Sequence, residues 1–234
     1  MNGTQAPGLR HFHEDLDALK RHLADMSGKA ESLLDLAIDA LQKRDEGLAE
    51  AVLEADHEID LLEVQVEDLA VSLLALQQPM ARDLRFIIGA IKVSSDLERV
   101  GDHAVNIAQA TLRLLGTSVL HPGPEIDEMA RRARRMLSDA LDAFIRADGR
   151  LGRDVCRRDD EVDALEESVF RVLLTRMMEN PATISPAIQL LLVSRNLERV
   201  ADLATNIGED AVYLAEGKQI KHHSEEPSTN GNPE

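Results

Sequence analysis

The sequence predicts an all-α protein built by tandem duplication of an antiparallel three-helix bundle. Two observations carry that expectation. Residues 94–107, SSDLERVGDHAVNI, and 194–207, SRNLERVADLATNI, match at nine of fourteen positions, and a repeat of this kind fixes architecture before any local signal does. The composition is 44% hydrophobic but only 2% aromatic, with no Trp, a balance of Leu, Ala, Glu, Asp and Arg that suits helices rather than strands. The repeat extends upstream: Asp56, Glu58, Asp60 and Glu63 recur as Asp159, Glu161, Asp163 and Glu166 at an offset of 103, which becomes 100 beyond the segments QQPMARD and ENPATIS.

Six helices follow in order. Residues 1–9 and 218–234 read as tails of Gly, Pro, Asn, Ser and charge without an apolar period. The first helix spans about Leu9 to Arg44, where Leu33, Leu34, Ala37, Ile38 and Leu41 mark one buried stripe. A break near Asp45–Gly47 opens a second helix that runs to Gln77 and ends before Pro79. The third covers about Asp83–Leu115 and stops at Gly116, read as a left-handed glycine cap. Residues 10–116 thus make the first bundle, and 117–124, containing HPGP, the linker. The second bundle, 125–217, has helices at about Glu125–Ala147 and Arg153–Met178. Its last helix, opened by an N-cap Ser185 and Pro186, continues to Glu216. Short connections make sequential helices antiparallel neighbours.

Charge and composition exclude several functions. A net charge of −17 repels nucleic acid and anionic membrane surfaces. One cysteine, Cys156, gives no intrachain disulfide framework and fits a reducing compartment. No apolar run approaches the roughly 18 residues of a membrane span, and no secretory leader pattern opens the chain, so a cytoplasmic protein is expected, peripheral to the membrane only through partners. No phosphate-cradling glycine loop, nucleophile elbow or dinucleotide fingerprint occurs, and nothing points to an enzyme.

The acidic residues carry the chemistry. Glu98 and Asp102 stand four apart on one helix face, as do Glu198 and Asp202, Asp56 and Asp60, and Asp159 and Asp163, with Glu63 and Glu166 extending two of the stripes. Like charges at this spacing repel, so something must offset them. A hard cation fits: carboxylates suit Mg, Mn, Ca or oxidised Fe, whereas Zn favours Cys and His. Fe, Mn or Mg is the expected cofactor, with Zn or Ca as further candidates. The expected metal ligands are Asp56, Asp60, Glu98, Asp102, Asp159, Asp163, Glu198 and Asp202. Glu63, Arg99, Asn106, Glu166, Arg199 and Asn206 would support them from behind.

A blander reading stands beside this one. With 43 acidic residues in 234, roughly eight acidic i, i+4 pairs arise from composition alone. Arg99 and Arg199 precede Asp102 and Asp202 by three, so a metal-free salt-bridge network is the alternative. Glu54 and His57 form an E-x-x-H of the kind di-iron bundles use, which raises a ferritin-like enzyme or storage protein as the second functional reading, although those bundles need two such motifs. His103 has Leu203 as its counterpart and is not expected to be a shared ligand. The run RRARR at 131–135 reads as a solvated face that could also dock an acidic partner.

At these residues the chain resembles the PhoU family of phosphate-uptake and phosphate-starvation regulators. The resemblance rests on Asp56–Asp60, on Gln77–Arg85 (QQP followed by RDLR), on Leu97–Ile107, and on their second-half counterparts Asp159–Asp163, Leu197–Ile207 and YLAEG at 213–217. It implies two three-helix bundles with pseudo-twofold symmetry, multinuclear metal clusters on the acidic motifs and a homodimer. It also implies a negative regulator acting through the phosphate ABC transporter, its ATPase included, and the linked sensor histidine kinase. Leu203, standing where the family often has histidine, departs from identical sites in the two halves.

Overall fold

The computed structural model describes residues 7–117 and 120–220, with side chains from His11 onward. They form seven α-helices: α1 Pro7–Lys43, α2 Glu46–Ala55, α3 His57–Gln77, α4 Ala81–Leu115, α5 Pro124–Arg146, α6 Gly149–Glu179 and α7 Ile184–Glu216, with a 3₁₀ turn at Pro181–Thr183. The expected tails 1–9 and 218–234 fall mostly outside the described residues; 7–9 already belong to α1.

The halves are α1 to α4 and α5 to α7. Helices α4 and α7 lie side by side at the centre, with α3 outside α4 and α6 outside α7. Helix α1 packs across α3 and α4, α5 packs across α6 and α7, and α1 and α5 also touch. Heptad-like apolar positions explain the arrangement: Leu19, Leu23, Met26, Leu34 and Ala37 on α1 and Met129, Met136, Leu137 and Phe144 on α5 are buried, while their opposite faces carry charge. Phe86 of α4 stacks on Phe144 of α5 at 5.6 Å between ring centroids, so the core runs continuously from one half into the other.

Where α4 and α7 meet, Lys92 pairs with Asp210 and His103 with Asn196. Residue numbers rise on one helix as they fall on the other, so the two are antiparallel. An antiparallel seam between helices of two repeats offset by 100 is what a pseudo-twofold axis between the halves requires.

Three sequence expectations are corrected. The second helix is not continuous to Gln77 but is interrupted at Asp56, which ends α2 and begins α3. The backbone angles of Asp56 are themselves helical, so the two helices adjoin without a loop and no glycine or proline marks the junction. Gly116 is not a left-handed cap: its φ is −75°. The end of α4 is instead closed by Arg44, whose guanidinium donates to the carbonyls of Leu114 at 2.7 Å and Thr117 at 3.2 Å. Ser185 is not an N-cap; α7 starts one residue earlier, after the 3₁₀ turn, with Thr183 in the cap position, and Pro186 sits inside the first turn, where its missing N–H costs nothing. Gly217, with φ 72°, does close α7, its N–H bonded to the Tyr213 carbonyl at 2.8 Å.

Candidate metal centres on paired helices

Each half presents its acidic stripe from two neighbouring helices. In the first, Asp56 at the α2–α3 break and Asp60 and Glu63 on α3 face Glu98 and Asp102 on α4. Their mutual repulsion is visible in Glu98: burial, then the charges of Asp102, Glu63, Asp60 and Asp56, push its pKa up to about 7. Asp56 is raised by burial and by the charges of Asp60 and Asp102. Glu63 is raised by burial and the Glu67 charge, against a hydrogen bond from Ser95 of α4. The break at Asp56 aims its carboxylate at α4: a Cβ on Gly101 would meet Asp56 Oδ1 at 2.8 Å.

The second half repeats the arrangement with α6 and α7. Asp159, Asp163 and Glu166 face Glu198 and Asp202. Burial, then the charges of Asp202 and Asp163, raise the Asp159 pKa to about 6. Glu198 is raised by burial and by the Asp202 charge, and Asp202 by burial with Asp163 acting in the same direction.

The salt-bridge alternative is realised in one copy only. Arg199 reaches Asp202 at 3.3 Å and Glu198 at 3.5 Å. Arg99 turns away from Asp102 to Asp96 at 3.5 Å. Across the central seam, however, Arg99 and His103 both act on Asp202 and oppose the rise in its pKa. Basic groups of the first half thus reach the acidic stripe of the second. Asn106 and Asn206, one turn further along, make no side-chain hydrogen bond among the described residues.

Among the described residues no set of three or more His, Cys, Asp or Glu side chains stands ready at metal-ligating separation. The donor chemistry nevertheless fits a hard cation. The donors are all carboxylates, and Asp159 Oδ1 is buried with no hydrogen-bond partner, as is the hydroxyl of Thr205 beside it. That hydroxyl still depresses the Asp159 pKa slightly, without completing a well-aligned bond. A buried carboxylate oxygen without a donor is costly, and a cation is one remedy.

Sequence reasoning passed over two polar residues and set a third aside. Ser95 and Thr205 lie three residues from Glu98 and Asp202 on the acidic faces, and that spacing was the available signal. His103 joins the halves through Nδ1 and Asn196 Oδ1 at 2.9 Å, a contact between distant segments that no local pattern announces. The ferritin-like motif comes apart: the break at Asp56 puts Glu54 on α2 and His57 on α3, and the His57 side chain is 75% exposed and turned to Asp60. The arginines of RRARR are answered within the chain, Arg131 and Arg132 by Glu128, Arg132 also by Glu161, Arg134 by Asp35 and Arg135 by Asp139. Cys156 is half-buried, its thiol pushed up to about 11 by burial, which leaves it protonated and unreactive at neutral pH. No helix among the described residues is long and apolar enough to cross a membrane.

The PhoU domain profile matches residues 23–111 and 126–211, one copy in each half. The chain is 39% identical over 210 residues to the phosphate-specific transport system accessory protein PhoU homolog of Clostridium acetobutylicum, covering 89% of this chain and 96% of that one. It is 40% identical over 209 residues to the protein of the same description from Aquifex aeolicus, covering 89% and 95%. The crystal structure of PhoU from Pseudomonas aeruginosa superposes with a TM-score of 0.85 at 37% identity, covering 88% of this chain and 100% of that one. The phosphate transport system regulatory protein PhoU from Streptococcus pneumoniae gives a TM-score of 0.82 at 29% identity, covering 89% and 98%.

Proposed function

The chain belongs to the PhoU family, and we propose on that premise that it restrains phosphate uptake and phosphate-starvation signalling rather than turning over a substrate. It acts by contact with the phosphate ABC transporter, through its ATPase, and with the sensor histidine kinase, and it works as a homodimer on the cytoplasmic face of the membrane. Each half holds a metal cluster, iron, manganese or magnesium, on Asp56, Asp60, Glu98 and Asp102 and on Asp159, Asp163, Glu198 and Asp202. Bound cations neutralise carboxylates that otherwise repel within each half, and so tighten α3 on α4 and α6 on α7. The observation that supports this most is the duplicated carboxylate face with its unpartnered Asp159 oxygen, in a chain whose relatives are named as accessory proteins of phosphate transport.

Two measurements test the reading. Deleting the gene, in a strain without a paralogue, derepresses phosphate-starvation genes in phosphate-rich medium; continued repression rejects the regulatory role. Asp102→Asn with Asp202→Asn lowers manganese or iron retained after dialysis, measured by elemental analysis. Unchanged content removes the metal from the proposal and leaves the contact role standing.

A further inference from the structure

The acidic face of the second half changes character towards the tip of the α6–α7 hairpin. Asp159, Asp163 and Glu166 on α6 are followed on the same face, at the next turns, by Phe170, Leu174 and Met178. On α7 the face runs from Asp202 and Glu198 through Arg195 to Leu192, Ile188 and Ile184. Contacts at the other end of the pair, Gly152 against Gly208 and Cys156 Sγ on the Thr205 carbonyl, fix an antiparallel register that carries the two apolar rows to the tip side by side. All six are exposed, from 41% at Leu192 to 79% at Met178. A contiguous apolar ridge on an otherwise charged surface marks an interaction site.

The unbroken ridge is confined to the second copy, although Val71 and Ile88 of the first are exposed as well. Its first-half counterparts are Glu67, Val71 and Ala75 on α3 and Leu84, Ile88 and Lys92 on α4, and Lys92 is committed to Asp210. The duplication preserved the carboxylates and let this surface diverge, towards an uninterrupted apolar row in the second copy and one broken by Glu67 and Lys92 in the first.

Its charge selects the occupant. Arg195 stands on the ridge axis, half a stripe from Glu198, exposed and without an ion pair among the described residues. Arg171, flanking Phe170, is held only by Glu167 at 3.3 Å on an exposed surface. A second copy centred on the apolar rows sets Arg195 against an apolar tip, and only a copy slid off the ridge towards the acidic cluster would offer it Glu198. An anionic bilayer is opposed by the net charge of −17. We propose that the ridge receives an amphipathic helix of a partner protein, its apolar stripe on Phe170, Leu174 and Ile188 and an acidic side chain on Arg195. The docked helix then ends beside the second carboxylate cluster, which gives that cluster a direct route to modulate binding. This rests on the contact role proposed above.

The test uses the full chain against the detergent-solubilised phosphate ABC transporter and the sensor kinase of the same organism, by biolayer interferometry. Phe170→Ser with Ile188→Ser weakens binding to one of them at least tenfold, whereas Val71→Ser with Ile88→Ser changes it less than twofold. Arg195→Glu, a single exposed change that leaves folding intact, slows association and flattens its salt dependence. Circular dichroism melts confirm that each variant is folded. Wild-type chain that binds a probe with unchanged affinity in the ridge variants overturns the ridge and spares the regulatory role, and wild-type chain that binds neither probe overturns both. Three other results also overturn it: no effect of Arg195→Glu, a dimer that becomes monomeric on sedimentation when the ridge is altered, or ridge-dependent binding to vesicles of one part phosphatidylglycerol to three of phosphatidylethanolamine.

Discussion

Glu98 shows at the scale of one residue what the acidic faces do to the protein when no cation balances them. Its pKa of about 7, set by burial first and four carboxylate neighbours second, lies above the ordinary glutamate value of 4.5. An acid raised on folding binds its proton more tightly in the folded state, so stability is gained as pH falls through the folded value towards the unfolded one. Asp159, at about 6 against 3.8, acts in the same direction. Chelator-treated protein should therefore melt at a higher temperature at pH 5.5 than at pH 7.5, and Glu98→Gln should remove much of the difference. Asp154, Glu58 and Glu216 have lowered values and act oppositely, but only below about 4.5, outside that window. A melting temperature that falls between pH 7.5 and 5.5 would contradict the balance of charges described here. With metal bound the sign reverses, because protons then compete for the ligands. The carboxylates were legible in the sequence because helical spacing of four is a geometric fact about any helix. The hydroxyls beside them were less so: Ser and Thr on a helix more often bond their own backbone, as Thr111 does to the Ile107 carbonyl at 3.0 Å, so nothing in their identity singles out Ser95 or Thr205.

Among the elements, the α6–α7 pair is the most closely apposed. A Cβ on Gly152 would come within 2.5 Å of the Gly208 carbonyl oxygen, and one on Gly208 within 3.0 Å of the Gly152 oxygen. Both obstacles are backbone, so neither can swing aside. Gly152→Ala should lower stability by about 1–3 kcal/mol as the helices part. Gly28 in α1 has no atom within 4 Å of its would-be Cβ, and Gly28→Ala should raise stability by about 0.5–1 kcal/mol through helix propensity. Urea melts of the two variants should move in opposite directions; a shift of the same sign in both would refute the steric account. Sequence punctuation located several helix ends, since Pro79, Pro124 and Gly217 each act through local backbone chemistry, whereas α6 starts at Gly149 under an Asp148 cap and not at the expected Arg153. It failed at Asp56, where the backbone angles stay helical and no punctuating residue is needed, and at Gly116, where the Arg44 guanidinium on the Leu114 carbonyl is a partner distant in the chain that leaves no mark on neighbouring residues.

For the whole molecule, the seam between α4 and α7 decides whether two ancestral copies behave as one body. The duplication was plain from the repeated LERV and Asn-Ile motifs, but the seam was not, because its specificity lies in positions where the copies differ. Lys92 donates to Asp210 at 3.1 Å, and the Asp210 side chain is only 6% exposed. At the equivalent repeat positions the sequence has Leu192 and Ala110, apolar residues in place of an ionic pair. Removing the cation alone strands a buried carboxylate, so Lys92→Leu should destabilise by about 1–3 kcal/mol or more. Replacing both partners by the residues the molecule already uses on the other side removes the charge altogether. Lys92→Leu with Asp210→Ala should therefore recover most of the loss, giving a coupling between the two positions well above the few tenths of a kcal/mol expected for independent sites. A double-mutant cycle from guanidinium melts measures it. A double variant no more stable than Lys92→Leu alone would mean that the buried carboxylate is satisfied without Lys92, and that the halves are held by their apolar contacts, with Phe86 on Phe144 the chief of them.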